Sequence, residues 1–92
     1  MNDILLQAKA QSEEGDLMAS LETLNSVISQ EKTNIDALLM RGLIYYRMQK
    51  WGDAINDFAS VLENNPDHAE AKSRMKMAEN ILGYFTPDMF NP

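Results

Sequence analysis

Apolar residues along this chain recur at three- and four-residue spacings, the period of helices that bury one face. Over Asn2 to Glu14, Ile4, Leu5, Ala8 and Ala10 draw a short, partly apolar face that stops near Gly15. Asp16 then stands as the N-cap of a second helix, in which Leu17, Leu21, Leu24, Val27 and Ile28 form a continuous stripe. Thr33 and Asn34 are the next N-cap candidates, and Asp36, three residues after Thr33, makes a near capping box for a third helix reaching about Met48. After a break at Lys50 to Gly52, Ala54, Ile55, Phe58, Val61 and Leu62 predict a fourth helix, ended by Asn64, Asn65 and Pro66. Asp67 with Glu70 reads as the start signal of a fifth helix through Leu82, closed by Gly83, which leaves the tail YFTPDMFNP. Only four glycines and three prolines interrupt the chain, so long helices are expected and strands have little support.

The pattern repeats itself. A shift of 34 residues superposes Ile4 on Leu38, Leu5 on Leu39, Leu6 on Met40, Leu17 on Trp51, Leu21 on Ile55, Leu24 on Phe58, Val27 on Val61 and Ile28 on Leu62. Small residues coincide too, Ala8 with Gly42 and Ser20 with Ala54, at positions where two helices of a hairpin approach closely. Ala54 is therefore expected against Gly42 at the tightest approach of the second hairpin. Each hairpin alone buries too little surface, so the fold requires neighbouring hairpins to stack into one core. Two full repeats are few, and marginal stability is expected.

Composition narrows the function more than the fold. Ninety-two residues make one domain, residues 1–92, too short for a multidomain enzyme. Fourteen acidic against eight basic residues leave a net charge of −6, which disfavours nucleic acid and anionic membrane surfaces as partners. With no cysteine, disulfides, thiolate metal sites and cysteine nucleophiles are excluded. The first residues carry neither a basic leader nor a long apolar run, so a cytoplasmic location is expected. His68 has no second imidazole to work with and reads as a turn or cap residue. Glu13, Glu14 and Asp16, and separately Asp53 with Asp57, read as acids near helix N-termini and on a solvated face rather than as a metal site. No phosphate loop, nucleophile elbow or His-Glu-x-x-His pair occurs, so no enzymatic activity, cofactor or metal is expected.

The segment ALLMRGLIYYRMQKWGDAINDFASVLENNPDHAEA resembles a tetratricopeptide repeat, with Gly42, Tyr45, Ala54, Phe58 and Pro66 at the family's offsets, and Val61 and Leu38 as departures. Residues 1–34 resemble a weaker copy through Ala8, Gly15, Asp16, Leu24 and Val27, although Gln11 replaces the tyrosine and Lys32 the proline. Residues 69–82 are similar to a capping helix, with Lys76 at the small-residue position. The resemblance implies an all-α fold of five helices, antiparallel hairpins stacked as a short right-handed superhelix. Repeat one covers about 1–33, repeat two about 35–66, the capping helix about 67–82 and an aromatic tail 83–92.

The same resemblance implies a concave surface lined by the first helix of each repeat. Its residues are Leu5, Leu6, Lys9 and Ser12; Leu39, Met40, Leu43, Tyr46 and Arg47; and Arg74, Met77 and Ile81. The family's clamp for acidic C-terminal peptides falls on Leu5, Lys9, Met40, Glu70 and Arg74, of which only Arg74 keeps its residue type, so an apolar or amphipathic ligand is expected instead. The function implied is a non-enzymatic protein-protein interaction module holding a protein or peptide partner in an apolar groove. The competing reading is a self-assembling structural unit, a homodimer or larger oligomer formed by end-face stacking or tail exchange. Tyr84, Phe85, Met89 and Phe90 are expected to dock, first on the bare face of the fifth helix, then on a second copy, then in the groove itself.

Overall fold

The computed structural model describes residues 2–85, with the backbone alone at positions 2, 84 and 85. Five helices occur in the order α1 (Asn2–Glu13), α2 (Leu17–Gln30), α3 (Ile35–Arg47), α4 (Trp51–Asn64) and α5 (Ala69–Phe85). No strand occurs among the described residues. The chain folds as an all-α helical repeat, in which α1 with α2 and α3 with α4 form hairpins and α5 packs along α4 and α3.

Side chains set the helix starts. The Asp16 carboxylate accepts the Ala19 amide at 3.1 Å, and the Asn34 side chain accepts the Ala37 amide at 3.0 Å. Of the two candidates before α3, Asn34 rather than Thr33 is the cap. At the start of the fifth helix His68 is the cap, as its position suggested, with Nδ1 accepting the Ala71 amide at 3.2 Å, so the Asp67 and Glu70 box is not what opens it. Gly83 lies inside α5 instead of closing it, because the helical backbone runs on to Phe85. The docking assigned to Tyr84, Phe85, Met89 and Phe90 concerns side chains outside the described residues.

The core is built in two blocks that share α3. Ala8, Leu21, Leu24 and Val27 pack with Ala37 and Ile44 of α3, while Leu38 of α3 packs with Ala54, Phe58, Val61 and Ala71. Ile28 and Tyr45 touch both blocks, so the hairpins bury a continuous interior. Phe58, fully buried, contributes about 2–3 kcal/mol through its apolar area.

Two contacts in the second hairpin differ from the sequence reading. A Cβ added at Gly42 would come within 2.7 Å of Phe58 Cε1 and 3.2 Å of Asp57 Cβ, so this glycine admits the Phe58 ring and not Ala54. Asp57 is buried instead of solvated, since Arg41 Nε and Nη2 donate to its two oxygens at 2.8 and 2.7 Å. Arg41 also donates from Nη1 to Asn25 Oδ1 at 2.8 Å, tying α3 to α2 as well as α4. Hydrogen bonding to Asp57 raises the Arg41 guanidinium above its ordinary pKa, with burial opposing.

Candidate functional site

The two repeats place α1 and α3 side by side on one surface of the molecule, with α2 and α4 behind them. Arg47 Nη1, at the end of α3, donates to the carbonyl of Ser12, at the end of α1, at 3.3 Å. The two helices therefore run parallel and in register. Between them, closed at one end by the start of α5, lies an open groove of about 860 Å³.

Leu5, Leu6, Leu39, Met40 and Leu43 supply its apolar lining, over a floor formed by buried Ile44. Leu39, Met40 and Leu43 fall on one stripe of α3 because positions three and four apart share a helix face. Leu6 is 61% exposed, so part of this lining faces solvent as a free apolar surface. The charged groups sit at the ends. Asp36 and Glu70, each the second residue of its helix, line the end where α3 and α5 begin. Ser12, Glu13 and Arg47 line the other, and Lys9, one repeat before Leu43, stands a turn earlier on α1.

Eight of the residues expected on the concave surface thus lie together: Leu5, Leu6, Lys9, Ser12, Leu39, Met40, Leu43 and Arg47. Tyr46, Arg74, Met77 and Ile81 do not line this groove. Tyr46 meets Trp51 edge to face, with ring centroids 5.0 Å apart, and Arg74 lies over the Tyr46 ring at 5.4 Å. These aromatic and cation-π contacts tie α3 to α4 and α5. Met77 is 46% exposed on α5, away from the groove lining.

Sequence reasoning about the groove missed Glu13, Asp36 and Ile44, while Glu70 had entered it only as a clamp position. A signal for Asp36 was available: it lies 34 residues before Glu70 and so occupies the same position of the preceding repeat. Ile44 carried no such signal, because only packing separates a groove floor from a buried interface.

His68 uses Nδ1 as a helix cap, and no group of three or more His, Asp or Glu able to hold a metal occurs among the described residues. No helix among the described residues is long and apolar enough to cross a membrane. Every buried side-chain nitrogen or oxygen among them has a hydrogen-bond partner.

Comparison with known proteins converges on the same architecture. A family model described as tetratricopeptide repeat matches residues 36–68, the second hairpin with its exit turn. The chain is 28% identical over 66 residues, 72% of its length, to Superkiller protein 3 of Saccharomyces cerevisiae, and covers 5% of that protein. It is 30% identical over 78 residues, 85% of its length, to DnaJ protein P58IPK homolog B of Oryza sativa subsp. japonica, covering 17% of it. It thus spans less than a fifth of the length of these curated relatives.

Proposed function

Since the chain belongs to the tetratricopeptide repeat family, whose repeats generally mediate protein-protein interaction, we infer that it is a non-enzymatic binding module that holds a segment of a partner protein in the α1/α3 groove. The observation that carries this reading is the open apolar lining of Leu5, Leu6, Leu39, Met40 and Leu43, framed by charges at both ends. Apolar anchors with a polar rim are the general make-up of a peptide groove. Methionine at position 40 adds a side chain able to fit ligands of varied shape.

Ile4 and Met18, 45% and 62% exposed on the first hairpin, favour self-assembly as the second reading, because among the described helices α1 and α2 pack only against each other and α3. One experiment addresses both readings. Partners captured by the wild type and by a Leu39→Asp, Leu43→Asp variant are compared, and each protein is sized by light scattering across a concentration series. The groove reading expects a monomer whose captured partners are lost in the variant while its melting temperature stays close to wild type. Identical partner sets count against the groove, and concentration-dependent growth in mass favours self-assembly.

A further inference from the structure

The groove is electrically polar along its length, and this polarity defines what fits it. Asp36, Leu39, Met40, Leu43 and Arg47 follow one another on α3 at helical spacing, so an acid, an apolar stretch and a base share one stripe. Glu70 doubles the acid at the first end; at the other, Arg47 stands level with Glu13, and Lys9, a turn earlier on α1 and level with Leu43, leaves that half of the groove with one net positive charge. The twelve residues from Asp36 to Arg47 span about 16 Å of helix. That length holds three turns of a second helix.

Resting on the groove reading above, we propose that the occupant is an amphipathic helical segment lying antiparallel to α3, acidic in its first turn and basic in its last, with leucine-like side chains between. Its basic end meets Asp36 and Glu70, and its acidic end meets Arg47, with Lys9 one turn further in. The antiparallel direction is favoured twice. It opposes the segment's dipole to that of α3, and it places the segment's own acid and base at the helix ends where each is stabilising. A segment of the opposite polarity sets like charges against each other in this direction, and turned parallel it aligns its dipole with that of α3 and carries its own charges at the unfavourable helix ends.

Two labelled synthetic peptides of identical composition test this by fluorescence anisotropy. One has Glu in its first turn, three Leu at the α3 spacing read backwards and Lys in its last turn; the other has Glu and Lys exchanged. The first should bind about fivefold more tightly, the effect expected of a few exposed ion pairs, and the difference should shrink in high salt. An Asp36→Lys, Glu70→Lys variant should reverse the preference, and a milder Asp36→Asn, Glu70→Gln variant should erase it. Equal binding of both peptides to wild type overturns the polarity. So does the same preference in all three proteins, which would trace it to the peptides' own helicity. If both peptides bind equally but lose binding with Leu39→Asp, Leu43→Asp, the groove survives and only its polarity falls. Absence of binding, or binding indifferent to that double substitution, overturns both.

Discussion

The two hairpins have the same shape and different chemistry at corresponding positions. In the second, Gly42 admits the buried ring of Phe58; in the first, the corresponding residues are Ala8 and the smaller Leu24, both fully buried in one core cluster. The first hairpin adds a buried hydrogen bond from the Ser20 hydroxyl to the Ala8 carbonyl at 2.8 Å, where the second has Ala54. Where the second pairs Asp57 with Arg41, the first has Thr23, whose hydroxyl donates to Gln11 Oε1 at 2.8 Å. The turns differ as well. Both pass through a left-handed residue, Gly15 at φ 87° in the first and Gln49 at φ 62° in the second. The second hairpin, the part that the family model matches, is thus held by an ion pair and a ring against glycine, and the first by neutral contacts. The backbone geometry therefore tolerates more than one chemical solution.

The ion pair offers the strongest way to break this comparison. Arg41→Met leaves the Asp57 carboxylate buried without its partner and should cost about 3 kcal/mol, whereas Thr23→Val in the first hairpin should cost about 1 kcal/mol. Urea denaturation of both variants checks the ranking, and equal losses would remove the distinction. Because the Arg41 pKa is raised in the folded state, its contribution is fully present below the ordinary guanidinium value and is lost only as pH rises beyond it. The Arg41→Met loss should therefore not depend on any titration of the guanidinium near neutral pH.

Exchange of the packing pair comes next. Gly42→Ala should cost about 1–3 kcal/mol by forcing the Phe58 ring away, and Phe58→Leu about 1–3 kcal/mol by loss of buried area. The double variant imports the Ala and Leu pair of the first hairpin, so it should lose less than the sum of the singles, with a coupling of about 1 kcal/mol. Thermal melts of the three proteins measure it, and strict additivity would show that the two hairpins do not share this logic.

The smallest effect lies in the turn. Gln49→Gly relieves a left-handed glutamine and should stabilise by about 0.5 kcal/mol, after the greater chain entropy of glycine is deducted. Gly15→Gln in the first turn should destabilise by about 1 kcal/mol. Opposite shifts in melting temperature are expected, and shifts of the same sign would show the two turns to be inequivalent.

Helix order, the caps Asp16 and Asn34, the 34-residue register and the family were legible in the chain because each rests on local spacing or on repetition of it. The repeat register also pointed to the apolar lining, since Leu5 and Leu39 occupy one repeat position and Leu6 and Met40 the next. What the register left open depended on where a side chain turns once helices are packed. Tyr46 is a near neighbour of Leu43 on α3, yet its ring meets Trp51 and Arg74 outside the groove, because a shift of one helical position separates a groove wall from an interhelical contact. Asp57 carries the pattern of an exposed acid, and its burial follows only from the nearness of Arg41, sixteen residues earlier and on another helix. Gly83 likewise took its role from packing, carried through by a helix already anchored at Ala71 and Ala78. Spacing along a chain determines which face of a helix is apolar; the neighbour that face meets is decided by contacts distant in sequence, which a local pattern does not contain.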